Sequence, residues 1–231
     1  MTARALLFDL DDTLFAEESF VRSGYAQVAA AASAAGAGES AAALLDRLWY
    51  DFRRLGRTGA FDRFAAAHPG CALSVAEMVK LYREHRPTIA LDDPARRALA
   101  VARANGLALA LVTDGAAATQ ARKVEALGVA PLVDAVVYTW ALEAPKPDPR
   151  GFLEACARLG VAPAQAVVVG DDPYHDVEAA RRAGLAMIRL RAGRAAEIET
   201  RDRPALYAEI DTLDALPEAL KRLGLTQGGA A

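Results

Sequence analysis

Cysteine is almost missing from this chain: there are two in 231 residues, Cys71 and Cys156. Neither stands in a C-x-x-C spacing, so two reduced thiols in a reducing compartment are expected. Histidine is as scarce, and His68, His85 and His175 form no H-E-x-x-H pattern, which argues against zinc. The two tryptophans, Trp49 and Trp140, read as packing residues rather than cofactor partners. There is no excess of one charge, with 27 Lys+Arg against 30 Asp+Glu and a net charge of -3. That balance gives no electrostatic ground for a nucleic-acid or anionic-membrane partner. No apolar run is long enough to span a bilayer, and Met1–Arg4 passes straight into a strand with no room for a leader. A soluble cytoplasmic protein is expected. Internal repeats are also absent.

What remains is a globular composition, 53% hydrophobic and 25% charged, on a length suited to one large domain or one domain with an insert. Ala5–Phe8 is a short apolar run, too short for a helix and suited to a buried strand. It stops on Asp9, Asp11 and Asp12. From Glu17 to about Pro87 the spacing predicts only helices: Glu17–Ala35, Ser40–Leu55, Phe61–Ala67, and one capped by Ser74 with Glu77 that reaches His85. From Asp93 strands and helices alternate. Strands are predicted over Leu107–Val112, Ala135–Tyr138, Ala166–Val169, Ala186–Leu190 and Tyr207–Ile210. The intervening helices end at Gly106, Gly128, Gly160 and Gly184, and Leu213–Leu223 adds a last one. Such alternation specifies a parallel sheet with crossover helices. The fold class is therefore α/β, a Rossmann-like parallel core with an inserted all-helical domain. The expected division is 1–15 core strand, 16–92 helical cap and 93–231 core. Gly228–Ala231 reads as a loose tail.

Clustered acids at the end of an apolar strand are costly unless hydrated, paired or bound to a cation. Alternation would point Asp9 and Asp11 toward one shared site, where like charges invite a divalent cation or a raised pKa. Two other predicted strands end in polar groups, Thr113-Asp-Gly115 and Gly170-Asp-Asp172. Lys146 stands among three prolines in Ala144-Pro-Lys-Pro-Asp-Pro149, a stiff turn that gives it a defined direction. Carboxyl ends of parallel strands are where α/β proteins bind ligands.

These segments, Asp9-Leu-Asp-Asp-Thr-Leu14, Leu111-Val-Thr-Asp-Gly115, Lys146-Pro-Asp-Pro149 and Val169-Gly-Asp-Asp-Pro-Tyr-His-Asp176, lie in the order and spacing of a known pattern. The sequence resembles the haloacid dehalogenase superfamily, in its phosphatase branch with a helical cap after the first strand. The resemblance covers essentially the whole chain. It implies Asp9 as the nucleophile that forms an aspartyl-phosphate and Asp11 as the residue that protonates the leaving oxygen. It implies Mg²⁺ on the carboxylates of Asp9 and Asp171 and the backbone carbonyl of Asp11, with Asp172 or Asp176 orienting metal-bound water. Thr113 and backbone N–H groups near Leu10 and Asp114 would bind phosphate oxygens, and Lys146 would neutralise charge on the transferring group. Dehalogenase relatives lack an acid two residues after the nucleophile, so Asp11 favours phosphoester chemistry. Asp12 reads as a turn and capping residue.

The implied substrate is a small phosphorylated metabolite, and the downstream motifs look most like acylneuraminate phosphate and nucleotide phosphatases. The implied enzyme is a monomer or homodimer. Arg53, Arg54 and Arg57 offer an anion clamp within the cap, but a solvated helix face with Asp51 and Asp62 nearby is the favoured reading there. A phosphomutase and a non-enzymatic phospho-acceptor or binding protein are the alternatives.

Overall fold

The computed structural model of the chain describes residues 2–227; the tail expected over Gly228–Ala231 lies outside the described residues. The chain divides into two compact units, one of Met1–Glu17 with Ala90–Ala231 and one of Glu18–Ile89. The expected boundaries, after residues 15 and 92, are thus displaced by two or three residues. Among the described residues no helix is long and apolar enough to cross a membrane.

The first unit begins with β1 (Thr2–Ala3) and β2 (Ala5–Phe8). After the other unit it continues through α5 (Asp93–Ala104), β3 (Ala108–Thr113), α6 (Ala117–Leu127), β4 (Ala135–Tyr138), α7 (Arg150–Leu159), β5 (Ala166–Gly170), α8 (Glu178–Ala183), β6 (Ala186–Leu190), β7 (Tyr207–Ile210), α9 (Leu216–Arg222) and β8 (Thr226–Gln227). Six strands form one parallel sheet in the order β4-β3-β2-β5-β6-β7. The sequence did not suggest β1 and β8, a two-residue parallel pair of their own.

All four residues of β2 are buried, as a parallel strand covered on both faces requires. Ala5 and Leu7 join Ala110, Val112 and Val168 on one face, under Phe152 and Cys156 of α7 and Ala179 and Ala180 of α8. Each buried Leu, Val or Phe contributes about 1.5–3 kcal/mol. The register sets Phe8 between Leu111 of β3 and Val169 of β5. Chain order runs outward from β2 through β3 to β4, then returns to β5 on the other side. Asp9 therefore emerges where the strand order reverses, the usual ligand crevice of an open α/β sheet. Where the helical insert leaves and rejoins this unit, Asp92 N donates to Leu14 O at 3.2 Å.

The second unit is helical throughout its described elements: the rest of α1 (Glu17–Ala34), then α2 (Ala41–Leu55), α3 (Ala60–Ala67) and α4 (Val75–Glu84). It has its own core. Val21, Tyr25, Val28, Ala29 and Ala32 form the stripe of α1 and meet Leu44, Leu48, Phe61, Phe64 and Met78. Ser40 caps α2, and Ser74 with Glu77 forms the capping box of α4. Arg53 pairs with Glu18 at 2.9 and 2.8 Å, and Arg54 bonds Tyr50 at 2.9 Å, both exposed. That is the solvated helix face. Trp49 stacks on Phe52, but Trp140 is 55% exposed on a turn after β4, contrary to the packing role expected of it.

Candidate active site

The backbone N–H of Asp9 continues the β2 ladder, donating to Val169 O at 2.9 Å, and this holds the carboxylate at the mouth of the sheet. Lys146 reaches it from the loop before α7. Its Nζ lies 2.5 Å from Asp9 Oδ1 and 2.7 Å from Asp176 Oδ1, with all three side chains nearly solvent-free. The loop is itself tied down. Lys146 N donates to both carboxylate oxygens of Asp114, at 3.2 and 3.0 Å, and the Thr139 hydroxyl donates to Asp114 Oδ1 at 2.5 Å. The Asp114 carboxylate thus aims the lysine, and any phosphate contact from this residue falls to its backbone N–H.

Asp9, Asp171 and Asp176 form an acidic cluster, each offering one oxygen within 4.8 Å of the others. Asp176 joins the carboxylates, whereas the Asp11 side chain turns to Lys123 at 2.7 and 2.8 Å, leaving only its backbone carbonyl for the role given it. Burial, followed by repulsion from Asp176 and Asp9, pushes the Asp171 pKa up to about 9. Burial likewise holds Asp9 well above the usual carboxylate range, against the pull of Lys146. Three buried carboxylates facing one ammonium leave negative charge uncompensated, and three hard oxygens suit Mg²⁺. The donor set fits the ion.

A carboxyl whose pKa is raised on folding favours the native state fully below its unfolded value, and that contribution is lost as pH rises through the folded value. For Asp171 the window runs from 3.8 to about 9. At neutral pH the metal-free fold must therefore hold this carboxyl protonated, a cost the unfolded chain does not bear. Asp171→Asn is expected to raise the melting temperature in EDTA by several degrees, at roughly 2–4 °C per kcal/mol. Added Mg²⁺ is expected to stabilise wild type and to leave the variant unchanged. Differential scanning calorimetry with and without the ion checks both.

Asp172 and Asp176 are not equivalent. Asp172 caps the π-helical turn Pro173–Val177, accepting from Tyr174 N and His175 N at 2.8 and 3.0 Å, and it faces the exposed His175. Asp176 points inward. A Cβ on Gly170 would sit 2.6 Å from Asp176 Cγ, so β5 must end in glycine for this carboxylate to reach Lys146.

The haloacid dehalogenase-like hydrolase profile matches residues 3–184. The chain belongs to that family. It is 28% identical to a haloacid dehalogenase phosphatase from Thermococcus onnurineus, covering 99% of this chain and 100% of that one, with a TM-score of 0.62. It is 26% identical to a 2-haloacid dehalogenase from Pseudomonas syringae, covering 96% and 99%, with a TM-score of 0.64. A local match to the phosphoserine phosphatase of Thermus thermophilus reaches 39% identity. It spans 47% of this chain and under half, 44%, of that relative.

Three further residues bond to the candidate site of this hydrolase. Lys123 and Gln120 lie on α6, and Gln120 Nε2 donates to Asp11 Oδ2 at 2.9 Å and to Thr113 Oγ1 at 2.5 Å. They stand at the i, i+3 spacing that continues through Val124 and Leu127, so two polar residues on a buried stripe were the available signal. Arg189 is fully buried within β6 and donates to the backbone oxygen of Asp171 at 2.9 Å. An arginine between Ile188 and Leu190 was its signal. Asp12 has φ 57 and accepts from Glu17 N at 2.8 Å, capping α1. A Cβ on Gly193, at φ +58, would meet Asp12 Cγ at 2.2 Å.

Proposed function

We propose that this hydrolase is a Mg²⁺-dependent phosphomonoesterase acting on a small phosphorylated metabolite through an aspartyl-phosphate. One observation carries the reading: Asp9 and Asp11, two residues apart, occupy different electrostatic settings. Asp9 sits among Asp171, Asp176 and Lys146, whereas Asp11 stands apart against Lys123 and Gln120. A nucleophile and a proton carrier need that separation. Asp11 also distinguishes the reading from haloacid displacement, because halide leaves without a proton and an alkoxide does not.

In the first step an Asp9 oxygen attacks phosphorus in line. The P–O bond to the leaving group breaks, its electron pair stays on that oxygen, and Asp11 supplies the proton. In the second step water attacks phosphorus, Asp11 takes its proton, and the bond to Asp9 breaks, releasing orthophosphate and the original carboxylate. Thr113 donates a hydrogen bond to a phosphate oxygen, and Lys146 offsets charge on the phosphoryl group. Mg²⁺, held by Asp9, Asp171 and the Asp11 carbonyl, would lower the repulsion between Asp9 and an anionic substrate, with Asp176 the inner acid beside it. The helical unit Glu18–Ile89 is assigned the choice of leaving group. A cytoplasmic enzyme working as a monomer or homodimer is part of the same reading; the two free thiols suit a reducing compartment.

Purified protein is expected to release phosphate from an aryl phosphate with Mg²⁺ and to lose the activity in EDTA. Dependence on a bisphosphate activator would instead indicate a phosphomutase. Halide release from a 2-haloacid without any phosphatase activity would overturn the proposal.

A further inference from the structure

Asp11 and Thr113 are joined through a single side chain. Gln120 uses its amide nitrogen twice, toward Asp11 Oδ2 and Thr113 Oγ1. One helical turn on, Lys123 sets Nζ 2.7 and 2.8 Å from the two Asp11 oxygens. Both side chains are almost wholly buried, with Gln120 2% and Lys123 4% exposed. Burying an ammonium beside a carboxylate costs several kcal/mol of desolvation per ion, and apolar residues of similar volume usually serve stability as well or better. Packing alone therefore gives no reason for lysine here. The hydrogen-bond directions point to a use. Because Thr113 Oγ1 accepts from Gln120, its own hydroxyl hydrogen is left for another acceptor. Because Asp11 is gripped from the α6 side by three contacts, its carboxyl has a defined place independent of the acidic cluster.

We propose that Lys123 and Gln120 are positioning residues for the reaction. Together they form a clamp on α6 that holds the Asp11 carboxyl for proton transfer to and from the reacting oxygens. The same clamp turns the Thr113 hydroxyl outward as a phosphate donor. The inference rests on the phosphomonoesterase reading and concerns how its proton carrier is aimed. Neither residue touches substrate; each acts through Asp11 or Thr113.

The signature of such a role is dependence on the leaving group. An alkoxide must be protonated as it departs, whereas nitrophenolate leaves nearly unaided. Loosening the clamp should thus harm alkyl esters far more than aryl ones, and loss of fold would harm both alike. Lys123→Met and Gln120→Met are compared with wild type on an alkyl phosphate and on p-nitrophenyl phosphate, with melting temperatures measured alongside. The expected result is a fall in kcat of about 10²-fold on the alkyl ester against about threefold or less on the aryl ester. KM should stay within about threefold on both, and Lys123→Arg should restore most of the alkyl activity. Adding Lys123→Met to Asp11→Asn should cost nothing further on the alkyl ester. If Lys123→Met does not fold, Gln120→Met carries the same comparison, since it leaves the Lys123–Asp11 pair in place. Equal losses on the two esters, or no loss on either, would overturn the inference while leaving the phosphatase reading intact. A wild type inactive toward every phosphomonoester would overturn both.

Discussion

Asp9→Asn is expected to lower kcat on an aryl phosphate by at least about 10⁴-fold, the order seen when a catalytic nucleophile is removed. The amide matches the carboxylate in size but offers no anionic oxygen to attack phosphorus. The substitution also removes one negative charge from a cluster in which burial and Asp176 already oppose that charge. The metal-free variant should therefore melt no lower than wild type by more than the few degrees that loss of the Lys146 pair accounts for. Inactivity with a retained melting transition separates lost chemistry from lost structure. Rapid quenching with labelled substrate should trap phosphate on wild-type protein and none on the variant. Near-normal turnover by Asp9→Asn would remove the aspartyl-phosphate from the mechanism.

The second large effect is on stability. Lys146→Met strands two buried carboxylates, Asp9 and Asp176, without their shared cation. Breaking a buried pair from one side costs about 3–5 kcal/mol. For a chain of this size that is a fall in melting temperature of roughly 6–20 °C. The pH dependence has a definite sign. Burial works against the Lys146 charge, but Asp176 and Asp9 outweigh it and raise the lysine above its ordinary value of 10.5. Its contribution is therefore fully present below 10.5 and is lost only as pH rises through the higher folded value. Near neutrality all of it is at stake. As pH falls, the stranded Asp9, which burial already holds above the usual carboxylate range, takes up its proton, and the gap between variant and wild type should narrow. Thermal melts in EDTA at pH 5 and pH 8 test this; an equal gap at both would mean that Lys146 stabilises by packing alone.

The parts of the site that could be read in the sequence share a physical origin. A parallel strand buried on both faces is a continuous apolar run, so its end is marked sharply by the first polar residue. Asp9, Thr113 and Asp171 each fall at such an end, and the prolines around Lys146 flag its turn. Periodicity loses its power where a polar residue occupies a buried position. Gln120 and Lys123 lie on the inward stripe of α6, yet their polarity places them, by ordinary reckoning, on the solvent side. Arg189 escapes for the same reason, since four apolar neighbours make β6 look complete without it. The ambiguity between Asp172 and Asp176 has another cause. The Pro173–Val177 turn is π-helical, and its wider spacing returns Asp176 over Gly170 in a way that α-helical counting does not show. Trp140 shows the opposite error, an aromatic assigned to the interior by habit of its type.

The hydrogen bond between Asp92 N and Leu14 O has a consequence for ancestry. It closes the sheet-bearing unit on itself at the two points where the chain departs and returns, and among the described residues every strand of that unit pairs with another strand of the same unit. A lineage can therefore lengthen, shorten or exchange the helical stretch while the residues gathered around Asp9 keep their places. The helical stretch and the acid-bearing sheet are thus free to change at different rates within one gene.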